Sequence, residues 1–165
     1  MKRLRLYLDT SVINFLFADD APEKRDITRR FFTECVQFKV YDVFISSLVV
    51  DEINRTRDEE RRGQLLAAIR QHCLSELPLE PWTEIEQLAA EYCRLKIVPP
   101  RKEDDALHVA IATVHQVDVV LSWNFDHLAN VNKERQFLVA NESLGYFYPL
   151  RIVTPMEVMG YERPH

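Results

Sequence analysis

One stretch of the sequence, residues 102–128, most constrains what this chain can fold into. It begins with three consecutive acids and continues as an alanine-rich segment with apolar residues at helical spacing, up to His115-Gln116. A β-branched segment, Val117 to Leu121, follows and stops at Ser122-Trp123-Asn124. The pattern predicts a helix with acids in its first turn, a tight turn, and a buried strand that ends in polar residues.

The rest of the chain alternates between β-rich and amphipathic segments. Further strands are predicted at 3–9, 43–45 and 151–153, and an extended segment at 77–79. Helices are predicted over 12–17, 25–38, 48–55, 58–73, 82–95 and 131–144, with a short one starting at 155. We expect Thr10-Ser11 and Ser46-Ser47 to cap the helices that follow them. Strands that alternate with helices favour an α/β fold with a mainly parallel sheet covered on both faces.

Composition narrows the classes of protein. A chain of 165 residues that is 47% apolar suits one domain, which we place at 1–165. No apolar run approaches the roughly 18 residues that a membrane span needs, and the apolar segment near the start is too short and too charged for a signal peptide. We therefore expect a cytoplasmic protein with no membrane association. The net charge of −5 gives no bulk basic footprint for nucleic acid, and the three glycines form no phosphate-binding loop.

Acidic residues follow or flank the predicted strands at positions that a parallel sheet would bring together. Asp9 ends the first strand, Glu52 lies on the helix after the second, and Asp105 lies in the first turn of the central helix. Ligands of open α/β sheets bind at the carboxyl ends of the strands. Buried carboxylates repel one another unless a cation compensates, and Mg²⁺ prefers a few carboxylates together with water. Taken singly, each acid also fits a turn, a helix cap or a solvated helix face.

Four stretches carry a resemblance to a known family. They are residues 6–14 (LYLDTSVIN), 46–53 (SSLVVDEI), 105–112 (DALHVAIA) and 119–128 (VVLSWNFDHL), and residues 154–157 resemble the common tail of that family. In this order and with these gaps, the chain resembles PIN-domain proteins, above all the VapC-like toxins of bacterial type II toxin–antitoxin systems.

The resemblance implies a PIN-like three-layer α/β/α sandwich with a mainly parallel central sheet. It implies a metal-dependent ribonuclease that hydrolyses RNA phosphodiester bonds with Mg²⁺ or Mn²⁺, a small antitoxin protein as partner, and a homodimer. The metal-site acids carried over from the motifs are Asp9, Glu52 and Asp105. The fourth position, often Asp in the family, is Asn124 here, and Asp126 is the other candidate for it.

Two choices near these acids stay open on the residues alone. A helical wheel does not choose between Asp104 and Asp105, and only the motif favours Asp105, which leaves Asp104 as a cap. His108 fits either contact with the site or packing in the core, and Trp123 fits either stacking on a base or packing beside the central strand. The residues predicted to bind substrate are Thr10, Ser11, Arg55, Lys102 and His108.

Two rival functions remain. A catalytically weak or inactive RNA-binding or regulatory module is favoured by the uncharged Asn124 and by the acidic pI of about 5.6. A metal-dependent phosphatase is disfavoured, because the chain has no Asp nucleophile motif of the DxD kind.

Overall fold

The computed structural model of the chain describes residues 2–160, so Met1 and residues 161–165 of the predicted domain lie outside the described part. Its sheet contains five parallel strands in the spatial order β3-β2-β1-β4-β5. The strands are β1 (Arg5–Leu8), β2 (Asp42–Ser46), β3 (Ser75–Leu77), β4 (Val119–Leu121) and β5 (Arg151–Val153).

Helices connect every pair of consecutive strands, and one short helix follows the last strand. They are α1 (Thr10–Phe15), α2 (Pro22–Phe31), α3 (Ser47–Asn54), α4 (Glu59–Gln71), α5 (Trp82–Arg94), α6 (Glu103–Val114), α7 (Val131–Ser143) and α8 (Pro155–Val158). A π-helical turn, Phe32–Val36, extends α2, and a 3₁₀ turn, Pro100–Lys102, precedes α6. Among the described residues, no helix is long and apolar enough to cross a membrane.

The central strand β1 shows why the fold has three layers. Successive side chains of a strand point to opposite faces of the sheet. Leu6 and Leu8 pack in an apolar cluster with residues of α1 to α4, whereas Tyr7 packs in the other cluster with residues of α5, α6 and α7. All three side chains are fully buried, so helices cover both faces of the strand. The predicted α/β/α sandwich with a parallel sheet is confirmed.

Two of the differences between the predicted and the observed element bounds have a clear physical reason. The helix predicted over 25–38 begins at Pro22, because proline is well suited to the first position of a helix. The extended segment predicted at 77–79 is instead a strand at Ser75–Leu77. It ends before Pro78, whose nitrogen has no hydrogen to donate to a neighbouring strand.

Candidate functional site

The parallel pairing of β1 with β4 places the ends of these strands side by side. Leu8 pairs with Leu121, so the next residues along the two strands, Asp9 and Ser122, are neighbours at the carboxyl edge of the sheet. The Asp9 amide donates to the Leu121 carbonyl at 3.2 Å, which continues the ladder by one residue. The sequence thus fixes the position of Asp9 through the register of its strand.

Asp9 is a buried carboxylate whose side chain is only 3% exposed. Its oxygens accept hydrogen bonds from the hydroxyls of Ser11 and Ser122, each at 2.5 Å, and a longer one from the Val12 amide at 3.4 Å. Asp9 itself therefore caps α1, and the prediction that Thr10-Ser11 would do so is wrong. Burial raises the pKa of Asp9 above its ordinary value, although His108 and the two serine hydroxyls oppose this rise.

Glu52 meets a buried histidine from the neighbouring helix. The Glu52 Oε1 lies 2.5 Å from Nε2 of His108, and the Nδ1 of that ring lies 2.7 Å from the Tyr7 hydroxyl. The Tyr7 hydroxyl in turn lies 2.8 Å from the hydroxyl of Ser46. Ser46 is the N-cap residue of α3, as predicted, but its side chain makes no cap bond to that helix. These contacts link β1, β2, α3 and α6 into one polar chain at the site.

The Glu52–His108 contact shifts both titrations toward the charged forms. Burial would raise the pKa of Glu52, but its hydrogen bond to His108 and the charge of that ring lower the pKa below its ordinary value. Burial would lower the pKa of His108, but Glu52, Asp9 and Asp105 together raise it. The carboxylates around the ring thus favour the charged form of His108, and its side chain contacts the site rather than serving only in core packing.

Asp105 faces the same region from the first turn of α6. Its Oδ2 accepts a hydrogen bond of 3.2 Å from the side-chain amide of Asn124. Burial raises the pKa of Asp105, with further increases from Asp9 and Glu52 against decreases from His108 and His127. The three predicted acids therefore lie within one electrostatic environment. We call Asp9, Glu52, Asp105 and His108 the acid cluster.

Asn124 is oriented by the loop that follows β4. Its side-chain oxygen accepts from the His127 amide at 3.0 Å, and its backbone amide donates to the Ser122 hydroxyl at 2.9 Å. With the oxygen used in this way, the amide nitrogen is left to donate to Asp105. In this geometry Asn124 holds a ligand candidate in place, while the other candidate for the fourth position, Asp126, is exposed on the loop.

The predicted substrate-binding residues fall into two groups. Thr10 and Ser11 are inside the site, with the Thr10 hydroxyl 3.5 Å from Nε2 of His108 and Ser11 bonded to Asp9. Arg55 and Lys102 are exposed at its rim. Arg55 forms an ion pair of 3.1 Å with Asp104, so Asp104 pairs across to α3 and does not cap α6 as predicted.

The chemistry of the donors fits a hard divalent cation. Asp9 and Asp105 are carboxylates whose negative charges are disfavoured by burial, and a cation would relieve that cost. The candidate ligands are not gathered into one complete metal site in this structure. Among residues 2–160, no three His, Cys, Asp or Glu side chains converge closely enough to hold an ion, since Glu52 is turned to His108 and Asp105 to Asn124.

The sequence analysis missed three residues of the site: Tyr7, Ser46 and Ser122. Each lies in a strand or directly after one, and none of them was assigned a role in the site from the sequence: Ser46 was predicted as a helix cap and Ser122 only as a polar strand end. The available signal was polarity, because a serine or tyrosine hydroxyl that is buried needs a hydrogen-bond partner. All three find one at the acid cluster or its polar chain.

Comparisons with known proteins identify relatives of the fold. The family model of the PIN domain matches residues 6–134. A search of the curated proteins found no match. The chain is similar to the crystal structure of a member of the VapBC family of toxin-antitoxin systems, VapBC-5, from Mycobacterium tuberculosis. The two share 14% identity over 91% of this chain and 98% of that one, with a TM-score of 0.47. The family model, which spans well over half of the chain, carries the assignment.

Proposed function

The chain belongs to the PIN domain family, as its sequence motifs predicted, and on this premise we propose that it is a metal-dependent ribonuclease. It hydrolyses RNA phosphodiester bonds with Mg²⁺ or Mn²⁺ at the acid cluster. One observation carries the proposal: the buried carboxylate of Asp9 and the half-buried carboxylate of Asp105 influence each other at the carboxyl edge of a parallel sheet, and the pKa of each is raised. Such an arrangement costs stability and is found where function needs the charges.

The residues of the site divide the work. Asp9 and Asp105, with Glu52, would hold the cation, and the hydroxyls of Ser11 and Ser122 keep the Asp9 carboxylate oriented. A bound Mg²⁺ or Mn²⁺ would supply positive charge at the scissile phosphate and lower the pKa of the attacking water. Asn124 keeps the Asp105 carboxylate in place through its amide. His108 holds Glu52, and Arg55 and Lys102 at the rim are placed to contact phosphates.

The partners follow from the same proposal. We propose a VapC-like toxin with a small antitoxin protein as partner, acting as a homodimer in the cytoplasm. The motifs of the sequence support this proposal. Co-purification with the product of a small neighbouring gene, followed by inhibition of cleavage, tests the antitoxin.

A substitution at Asp105 tests the proposed chemistry. Asp105→Asn keeps the size of the side chain and removes its charge, so we expect loss of RNA cleavage by about 100-fold or more with Mn²⁺. The measurement is cleavage of a labelled RNA by the purified full chain, together with calorimetric titration of Mn²⁺. Glu103→Gln, on the same helical turn but exposed, is the matched control and keeps its activity.

An inactive or regulatory RNA-binding module is the second candidate. It is favoured by the hydrogen bonds that tie Glu52 to His108 and Asp105 to Asn124, which leave no three acids converging in the described residues. The same titration separates the candidates. RNA binding by the wild type without Mn²⁺ binding or cleavage would establish the module and refute the nuclease.

A further inference from the structure

A cluster of aromatic side chains surrounds one ammonium group beside the acid cluster. The Nζ of Lys24 lies 4.9 Å from the ring centroid of Phe125, 5.8 Å from that of Trp123 and 5.7 Å from that of Phe15. The rings also contact one another, with Trp123 at 5.8 Å from Phe15 and 6.2 Å from Phe125. The cluster joins α1, α2 and the loop after β4.

Two of its aromatic residues differ in how they are held. Trp123 is 5% exposed and its indole N–H donates to the Thr28 hydroxyl at 2.9 Å. Trp123 therefore packs in the core beside the central strand and has no free face for a base. Phe125 is 45% exposed, on the loop between β4 and α7. An exposed aromatic ring fixed against a buried one is a rigid apolar surface, and every nucleobase has a face that can stack on such a surface.

The Lys24 ammonium, on a half-buried side chain, has no ion-pair partner among the described residues. Within residues 2–160 no carboxylate lies at ion-pair distance from it, while its neighbours are the electron-rich faces of the rings. Cation–π contact attracts the ammonium but leaves its charge unneutralised. A phosphate would neutralise that charge and accept hydrogen bonds from it.

The backbone connects this surface directly to the acid cluster. Phe125 follows Asn124, whose amide donates to Asp105, so Phe125 is one residue, about 3.8 Å along the chain, from a side chain that contacts the acid cluster. On the other side the Trp123 amide donates to the Ser11 hydroxyl at 2.9 Å, and that hydroxyl donates to Asp9. The loop that carries Phe125 is therefore tied to Asp9 and to Asp105 through its two preceding residues.

We propose that Phe125 and Lys24 bind single-stranded RNA beside the acid cluster, with an unpaired base stacked on Phe125 and a neighbouring phosphate on Lys24. The proposal deepens the ribonuclease function and rests on it. The base that stacks is unpaired, because a base in a duplex is already stacked and cannot cover the exposed ring. The proposal also makes Phe125 a positioning residue, since it orients the strand and touches no reacting atom.

Binding in the absence of metal tests the stacking. The full chain is titrated in EDTA with a short single-stranded oligoribonucleotide that carries 2-aminopurine, whose fluorescence is quenched on stacking, and with the same strand in a duplex. We expect Phe125→Leu to bind the single strand about ten-fold more weakly or worse and to lose the quenching. Phe125→Trp keeps both. Phe38→Leu, 74% exposed at the opposite edge of the sheet before β2, is the matched control and binds as the wild type does.

The salt dependence of binding tests the phosphate contact. Lys24→Gln removes one contact, so the slope of log K against log salt becomes shallower by about 0.7. Lys39→Gln, exposed at the opposite edge, leaves the slope unchanged.

The outcomes separate this proposal from the function on which it rests. If the wild type binds and cuts RNA while Phe125→Leu binds equally well and only melts earlier, the aromatic cluster merely pins the loop and the proposal is refuted, with the nuclease intact. If the wild type binds the duplex as well as the single strand, binding needs no unpaired base on Phe125 and the proposal is refuted. If it binds no RNA, the ribonuclease function and the proposal both fail.

Discussion

The structure has two buried polar clusters that differ in charge and position. The first is the acid cluster at the carboxyl edge of the sheet. The second joins Tyr92, Thr113 and Asn141 between α5, α6 and α7: the Tyr92 hydroxyl donates to the Asn141 oxygen, and the Asn141 amide donates to the Thr113 hydroxyl at 3.2 Å. We call it the neutral network. Among the described residues, no buried side-chain polar atom of either cluster lacks a hydrogen-bond partner.

The difference shows what each cluster does for the protein. Neutral groups that satisfy one another inside a core stabilise the fold, since breaking them leaves a donor or acceptor unpaired. Buried carboxylates cost stability even when they are hydrogen-bonded, because the charge is removed from water. The raised pKa values of Asp9 and Asp105 record that cost. A protein that keeps such a cluster keeps it for function, so substitutions in the two clusters should have opposite effects.

The largest expected effect is a separation of activity from stability. Asp9→Asn should lower RNA cleavage by about 100-fold or more and leave the free energy of unfolding equal or higher, because a buried charge disappears while the cap of α1 is kept. Asn141→Ala should do the reverse, losing roughly 1–3 kcal/mol of stability and keeping its cleavage rate at low temperature. Cleavage assays and urea unfolding in EDTA measure the two quantities.

Two results would break the comparison. A loss of stability in Asp9→Asn comparable with that of Asn141→Ala would make the acid cluster structural. Full cleavage by Asp9→Asn would remove Asp9 from the chemistry. Tyr92→Phe, which deletes one hydroxyl from the neutral network without opening a cavity, controls for packing and should behave as a weaker Asn141→Ala.

The sequence predicted the backbone of the site better than its side-chain contacts. The position of Asp9 followed from the alternation in β1, and Asp105 followed from the motif, since a helical wheel alone could not separate it from Asp104. The partner of Glu52 could not be predicted, because His108 and Glu52 are far apart in the chain and meet only after α3 and α6 pack on the sheet. The orientation of Asn124 depends on the closure of its loop by the His127 amide, and no residue pattern encodes it.

A second, smaller effect concerns pH, since Asp9 and Glu52 should change the free energy of unfolding in opposite directions as pH rises. The pKa of Asp9 is raised in the folded state above 3.8, so its contribution to stability is complete below that pH and is lost as pH rises through the folded value. Asp9→Asn should therefore match the wild type near pH 3 and gain on it as pH rises. The pKa of Glu52 is lowered below 4.5, so its contribution is present above that pH and is lost as pH falls.

Urea unfolding as a function of pH in EDTA measures both trends. The advantage of the wild type over Glu52→Gln should appear above pH 4.5 and shrink in acid, the opposite of the trend for Asp9→Asn. Asn141→Ala should differ from the wild type by the same amount throughout, because the groups it disturbs stay neutral over this range. A pH-dependent difference for Asn141→Ala, or the same trend for both acids, would contradict the distinction between the clusters.

The smallest expected effect lies at the rim, where the acid cluster meets solvent. The Arg55–Asp104 pair has side chains that are 61% and 36% exposed, so Asp104→Asn should change stability by less than about 1 kcal/mol. Asp104→Asn should affect RNA binding more than it affects stability, since the substitution removes a negative charge and releases Arg55 to contact a phosphate. We expect tighter binding in EDTA for Asp104→Asn and weaker binding for Arg55→Gln. The control is Asp51→Asn, at an exposed position on the same helix as Glu52, because it removes an equal charge without releasing an arginine. If Asp51→Asn tightens RNA binding as much as Asp104→Asn does, the effect is one of net charge and Arg55 does not contact the RNA.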